Sequence, residues 1–173
     1  MPRLSSEVVK EKSSYVLPIY VGIDPGMSGG LALIADYGLR AEKMRATERD
    51  LWQWVRLCNA GDGRVFAVIE RVTGYVGDGG NTGSSQFKFG TNYGLCRMAL
   101  VAAGIPFEEV GAAQWQRALG IPTKAGKTRT EHKNILKQRA QQLFPSAGIT
   151  LATADAVLIA EYCRRKRTGL LGR

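Results

Sequence analysis

Two short apolar runs, residues 19–23 and 31–35, stand on either side of a glycine-rich turn. Both runs are rich in residues favoured in β-strands, and residues 39–45 continue the pattern with a third run. Runs of this length separated by turn residues predict an antiparallel meander of three strands. Asp24 stands at the end of the first strand, which is an unusual place for a charge within an apolar hairpin.

The remaining pattern adds two strands and several helices. Residues 64–70, RVFAVIE, are nearly all apolar, as is typical of a buried central strand, and they end in the carboxylate of Glu70. We predict a glycine-rich loop over residues 74–90, a short strand over 105–110 and a basic turn over 124–129. Helices are predicted over residues 51–60, 92–103, 115–119, 130–143 and 152–167. This order predicts an α/β fold, with a mixed central sheet of about five strands flanked by helices.

A chain of 173 residues that is 45% hydrophobic supports one domain with a sizeable core. We expect that domain over residues 19–168, after a flexible lead-in over residues 1–18 and before a short tail over residues 169–173. No apolar run reaches the roughly 18 residues that a membrane-spanning helix needs, so we expect no membrane association.

The three cysteines, Cys58, Cys96 and Cys163, are odd in number and widely spaced. This pattern fits neither a disulfide framework nor a zinc site, and it favours a reducing compartment. We therefore expect a cytoplasmic protein of a bacterial or phage-infected bacterial cell, with an organelle as the alternative.

The net charge of +9 is concentrated in one part of the chain. Residues 1–110 carry 12 Lys and Arg against 12 Asp and Glu, whereas residues 111–173 carry 12 basic residues against three acidic ones. Basic side chains in such numbers commonly bind a polyanion, because each neutralised phosphate releases a condensed counterion. The alternative is a solvated basic surface that only maintains solubility. The segregation of the charge favours nucleic acid as the partner.

Three carboxylates stand at the buried ends of predicted elements. Asp24 and Glu70 end apolar strands, and Asp155 lies in the first turn of the last helix. Taken singly, each has an ordinary explanation as a turn residue, a strand-end acid or a helix-start acid. If the three converge in the fold, however, their mutual repulsion requires a cation. Mg²⁺ prefers carboxylate oxygens and keeps positions open for water and phosphate, so a divalent-metal site is the sharper hypothesis.

Five segments, in this order, resemble RuvC-type Holliday junction resolvases, most closely the bacteriophage and plastid branch. They are GIDPGMSGGLALI, VIERV, SSQFKFGTNYGLCRMALVAAGIPFEEV, AAQWQRALGIP and TADAVLIAEYCRR. The resemblance covers residues 20–167 and implies an RNase H-like fold and a homodimer that acts on four-way and other branched DNA junctions. It also implies phosphodiester cleavage with one or two Mg²⁺ or Mn²⁺ ions per subunit, with Asp24, Glu70 and Asp155 as the catalytic metal ligands.

One position departs from the family pattern. Members of this family usually carry an Asp or His about one helical turn before the last acid, where this chain has Leu151 and Ala152. His132, Glu161 or a nearby lysine is an alternative source of the missing group. The other interpretation of His132, which is the single histidine of the chain, is a solvated helix residue.

Basic and aromatic residues supply the candidate DNA contacts. An aromatic wedge is a known means of unstacking a duplex, and Tyr75 or Phe87 is our candidate for it, although packing of Phe87 and Phe89 beneath the loop is the alternative. The candidate phosphate contacts are Lys124, Lys127, Arg129 and Lys133, together with Arg164 and Arg165. The last two also have a simpler explanation, as favourable charges at a helix C-terminus.

Three functions follow from these patterns. The first is a metal-dependent endodeoxyribonuclease that resolves junctions by paired symmetric nicks, in DNA recombination and repair. The second is a catalytically impaired or inactive junction-binding protein of the same fold, indicated by Leu151 and Ala152. The third is an actin-like ATPase, because GIDPGMSGG also resembles the phosphate loop of those enzymes. Such enzymes need two domains, and a chain of this length supplies one.

Overall fold

Strands from across the chain form one mixed sheet. The structure is a computed structural model, and it describes residues 17–59, 64–71 and 83–171. The strands are β1 (Ile19–Asp24), β2 (Gly30–Ala35), β3 (Gly38–Lys43), β4 (Val65–Glu70) and β5 (Phe107–Val110). Their order across the sheet is β3-β2-β1-β4-β5. β2 pairs antiparallel with β1 and β3, whereas β4 pairs parallel with β1 and β5. The predicted meander and mixed five-stranded sheet are therefore confirmed.

The sheet is buried on both faces because the strand side chains alternate between two apolar clusters. On β1, for example, Tyr20 packs into one cluster, and Val21 and Ile23 pack into the other. Helices α1 (Glu48–Cys58) and α2 (Gly83–Ala102) cover the face that carries Val21 and Ile23. The opposite face is covered by α3 (Ala112–Ala118), α4 (Arg129–Leu143) and α5 (Ala154–Arg167). This three-layer α/β arrangement is the predicted fold class.

Helix α5 is the most deeply buried helix, and every residue from Ala154 to Cys163 is buried. Its backbone lies directly against β1 at Gly22, where a Cβ atom would come within 2.2 Å of both the Ala156 oxygen and the Ala160 nitrogen. Only glycine permits this approach. The glycine therefore fixes the distance between β1 and α5, the elements that carry Asp24 and Asp155.

Helix α2 begins much earlier than predicted. We expected a loop over residues 74–90 and a helix from residue 92, but the helix starts at Gly83. Glycine has low helix propensity, and Gly83, Gly90 and Gly94 argue against a helix on local grounds. The tertiary contacts of α2 are concentrated from Asn92 onward, where this buried side chain donates a hydrogen bond from Nδ2 to the Pro25 oxygen at 2.6 Å, whereas residues 83–88 are exposed.

Some predictions fall outside the described residues. The lead-in over residues 1–18 is described only at its last two positions, Tyr75 is not described, and the tail is described only to residue 171. Within the described ranges, no helix is long and apolar enough to cross a membrane. All three cysteines are buried free thiols, and burial raises the pKa of each to about 12, so they act as core residues.

Candidate active site

Asp24 and Glu70 lie side by side at one edge of the sheet. β1 and β4 are parallel neighbours, and Ile23 pairs with Ile69, so the next residues along each strand, Asp24 and Glu70, leave the sheet together. The carboxyl ends of parallel strands are a common place for functional groups in α/β proteins. The apolar strands thus carry two carboxylates to one point.

Asp155 reaches the same point from the start of α5. It is the second residue of that helix and is only 8% exposed. The start of α5 lies close to β2, because a Cβ atom at Gly30 would come within 2.8 Å of the Ala152 oxygen. Asp24, Glu70 and Asp155 all line one cavity of about 800 Å³. The three acids singled out in the sequence are therefore brought together.

The turn after β1 is shaped around the Asp24 carboxylate. Asp24 Oδ1 accepts a hydrogen bond from the Gly26 nitrogen at 3.2 Å. A Cβ atom at Gly29 would lie 2.7 Å from the Asp24 Cγ and 2.8 Å from its Oδ2. The glycine is therefore needed because the carboxylate folds back over the turn.

The three carboxylates stand in an environment that resists negative charge. Burial, together with the nearby charges of Asp24 and Asp155, raises the pKa of Glu70 to about 7. The hydrogen bond from Trp115 lowers this pKa, but by less than burial raises it. Burial and the charge of Asp155 also raise the pKa of Asp24. Close carboxylates cannot all be ionised without a compensating cation, and perturbed pKa values of this kind are typical of functional sites.

Trp115 holds Glu70 in place. Its indole Nε1, on α3, donates to Glu70 Oε2 at 2.9 Å, and the side chain is fully buried. Indole is a donor only, so the contact orients one carboxylate oxygen and leaves the other for a ligand. From the sequence, Trp115 is predicted only as the start of a helix. Its contact with Glu70 has no signal in the local pattern, because 45 residues separate the two.

Lys133 provides a cation inside the cavity. Its Nζ atom, on α4, lies 2.5 Å from Asp155 Oδ2, and the two side chains are 32% and 11% exposed. Burial lowers the pKa of Lys133, but the ion pair with Asp155 and the charges of Asp24 and Glu70 outweigh burial and raise it. The ammonium therefore stays protonated within the acid cluster. We predicted Lys133 as a phosphate contact, and its partner in the structure is a carboxylate.

The acids match a divalent ion in chemistry but do not yet form a cage for one. Among the described residues, no three His, Cys, Asp or Glu side chains are arranged to hold a metal ion. The donor set nevertheless fits Mg²⁺ or Mn²⁺, since all three groups are oxygen ligands. Asp155 Oδ1 is buried and has no hydrogen-bond partner among the described groups, as expected of an oxygen that awaits a cation. The metal ligation of Asp24, Glu70 and Asp155 stays a prediction.

Basic side chains form much of the cavity wall. Lys88, Lys124 and Arg129 line it together with Lys133. None of the first three takes part in the ion pairs formed between described residues. Lys127 is not among the lining residues and donates to the Thr123 oxygen at 3.2 Å. The basic turn thus places two predicted cations, Lys124 and Arg129, next to the acids.

Arg164 and Arg165 lie at the other end of α5. Both pair with Glu161 at 2.7 Å, and Glu161 is only 1% exposed. Burial raises the pKa of Glu161, but the hydrogen bonds from the two guanidinium groups outweigh this effect and lower it. Glu161 is therefore not a substitute for the missing fourth site residue, because both of its oxygens are occupied. DNA contact by Arg164 and Arg165 stays a prediction.

His132 and Phe87 differ from their simpler interpretations. His132 is buried at 8% exposure and lines the cavity, so it is not a solvated helix residue. Burial lowers its pKa, and its Nδ1 has no hydrogen-bond partner within the described ranges. Phe87 is 76% exposed and is not packed beneath a loop, whereas Phe89 is partly buried and lines the cavity. The exposure of Phe87 leaves its ring free for an external partner.

Comparison with known proteins yields similarity at the level of structure alone. No family model matches the chain. No curated protein matches it either. A solved structure described as T. thermophilus RuvC in complex with Holliday junction substrate is 20% identical, with a TM-score of 0.61, over 88% of this chain and 96% of that one. A second, of Thermus thermophilus RuvC, is 19% identical, with a TM-score of 0.58, over 87% of this chain and 96% of that one. The chain therefore has the RNase H-like fold of RuvC.

Proposed function

We propose that this protein is a metal-dependent endodeoxyribonuclease that binds four-way and other branched DNA junctions and resolves them by paired symmetric nicks. The observation that carries the proposal is the meeting of Asp24, Glu70 and Asp155 in one cavity whose wall is basic. Acidic side chains alone would fit a metal site, and basic side chains alone would fit a polyanion-binding surface. Their combination fits the hydrolysis of a phosphodiester, where a cation and a phosphate must occupy neighbouring positions.

The fold supports DNA as the substrate class. One solved structure with this fold is RuvC bound to a Holliday junction substrate. The concentration of positive charge in residues 111–173 fits the same partner, because those residues supply Lys124 and Arg129 on the cavity wall. Specificity for four-way junctions, and membership of the bacteriophage or plastid branch, belong to the proposal.

Each part of the cavity has a role in this reaction. Asp24, Glu70 and Asp155 would hold Mg²⁺ or Mn²⁺, which supplies Lewis-acid stabilisation of the charge that develops at the phosphate. Lys124 and Arg129 bind the phosphate on the cavity wall, close to the metal held by the acids. Trp115 keeps Glu70 oriented toward the cavity.

We propose a homodimer as the functional assembly. Two nicks in opposed strands require two sites, and a C2 dimer matches the approximate two-fold symmetry of a four-way junction. Helix α2 supplies a surface for such a contact, because Met98 and Val101 are each 59% exposed there. Leu57, at the end of the neighbouring α1, is 60% exposed. Large apolar side chains in this number favour burial against a second copy.

A junction-binding protein without nuclease activity is the second candidate. It is favoured by Leu151, which is 45% exposed, and by Ala152, because neither provides a ligand or a proton-transfer group. The buried imidazole of His132 lines the cavity of the three acids from α4, so a further titratable group is present beside them.

One experiment separates the two candidates. An end-labelled four-way junction and a duplex of matched sequence are each incubated with the protein, once with Mg²⁺ and once with EDTA. Binding to the junction in both conditions, with symmetric nicks only in Mg²⁺, is the expected result. Junction binding without nicks in Mg²⁺ supports the inactive binding protein. Equal binding to junction and duplex contradicts both.

A further inference from the structure

Lys133 lies among the three acids and contacts one of them, whereas a residue that only binds phosphate needs no such contact. Its ammonium is paired with Asp155 at 2.5 Å, inside the cavity that Asp24 and Glu70 also line. The ion pair joins α4 to α5, and its members are 22 positions apart in the sequence. Neither side chain is free in solvent, so the pair is screened less than one at the surface.

The charge balance of the cluster depends on this lysine. Three carboxylates face the cavity, and Lys133 is the cation that contacts one of them directly. The other lysines and the arginine of the wall form no ion pair within the described part of the chain. Without Lys133, the cluster would hold buried like charges with no bound partner, which is costly.

The same contact occupies one oxygen of a carboxylate that the metal site needs. Asp155 gives one oxygen to Lys133, and its other oxygen, Oδ1, is buried without a hydrogen-bond partner. A divalent ion that needs Asp155 as a ligand must therefore compete with an ammonium that is already bound. Two cations at such short range repel one another, so each weakens the contact of the other with the shared carboxylate.

We propose that Lys133 is an internal counter-ion that occupies the acid cluster in the metal-free protein and must be displaced from Asp155 for a divalent ion to bind. This inference rests on the metal site of the proposed function and deepens it. Lys133 stabilises the free protein and, by the same contact, weakens its affinity for the ion. Once displaced, its ammonium points into a cavity where a DNA phosphate is its natural partner.

The test is a titration of the full-length, DNA-free protein with Mn²⁺ by isothermal calorimetry. Lys133→Met removes the competing charge, so Mn²⁺ should bind at least about tenfold more tightly than to the wild type, or about 1.4 kcal/mol. Lys133→Arg keeps the charge and should bind Mn²⁺ within about twofold of the wild type. Lys137→Met is the matched control, since Lys137 lies one turn further along α4 and does not line the cavity.

Lys133→Gln removes the charge but keeps a donor for Asp155, and it gives the same comparison if the methionine variant does not fold. Unchanged or weaker Mn²⁺ binding in the uncharged variants overturns the inference, as does an equal gain in Lys137→Met. Junction cleavage by the wild type is measured separately. If the wild type cleaves the junction but the uncharged Lys133 variants bind Mn²⁺ no more tightly than the wild type, the inference is overturned and the proposed function stands. Tighter Mn²⁺ binding to Lys133→Met, with no cleavage by the wild type, supports the inference and contradicts the nuclease.

Discussion

Replacing Glu70 with glutamine should make the metal-free protein more stable at alkaline pH. In the folded protein, burial and neighbouring acids raise the pKa of Glu70 from 4.5 to about 7. The folded state therefore binds a proton that the unfolded state has already lost between these two values. Stability contributed by the protonated carboxyl is complete below about pH 4.5 and is lost as the pH rises to about 7.

The size of the effect follows from the difference between the two pKa values. Each pH unit between them corresponds to about 1.4 kcal/mol, so ionisation of Glu70 lowers the free energy of unfolding by about 3 kcal/mol at pH 8. Glutamine does not ionise, and its amide oxygen still accepts the hydrogen bond from Trp115. Glu70→Gln should therefore match the wild type near pH 4.5 and exceed its stability by about 3 kcal/mol at pH 8.

Urea unfolding in EDTA, followed by tryptophan fluorescence from pH 4.5 to 8, measures this difference directly. Adding Mg²⁺ at pH 8 should recover stability in the wild type and much less in Glu70→Gln, because the ion neutralises the carboxylate. A stability difference that does not vary with pH would refute the electrostatic reasoning. A variant less stable than the wild type at pH 8 would show that Glu70 is held by favourable contacts of its charged form.

Three other changes test the charge, the assembly and the packing. Junction affinity should fall by about one power of salt concentration for each phosphate contact, and Lys124→Ala with Lys127→Ala should reduce that dependence on salt. An unchanged salt dependence would show that the DNA contacts lie on another surface. Met98→Glu should shift the protein from dimer toward monomer in sedimentation at micromolar concentration, and a wild type that is already monomeric rules out the proposed interface. Gly22→Ala should lower the free energy of unfolding by about 3 kcal/mol or more, because its Cβ meets the backbone of α5, and a neutral effect on thermal melting would contradict that contact.

The fold was predictable because its signals are local. Apolar runs of five to seven residues mark β1, β2 and β4, and the position of Asp24 and Glu70 at their ends is visible in the sequence. The parallel pairing of β1 and β4 then brings the two acids together. The start of α2 was not predictable, because glycines disfavour a helix over residues 83–90 and the buried residues of this helix begin only at Asn92.

The site was predictable in its acids and not in the groups that surround them. Asp155 is marked by its place in an apolar helix, but its partner Lys133 lies on another helix and looks like any exposed lysine. Trp115 likewise reaches Glu70, and His132 reaches the cavity, only through packing of α3 and α4 against the sheet. A pattern of residue types reports the face on which a side chain lies, but it does not report the partner on another element.

The proposed function places Asp24, Glu70 and Asp155 at the centre of a metal-dependent junction nuclease. The most direct measurement is single-turnover cleavage of a labelled four-way junction in Mn²⁺, with saturating wild-type protein and with saturating Glu70→Gln. We expect paired symmetric nicks by the wild type, loss of cleavage by at least about a hundredfold in the variant, and junction affinity of the variant within about twofold of the wild type. Cleavage at the wild-type rate by Glu70→Gln, or a parallel loss of cleavage and junction binding, would contradict it.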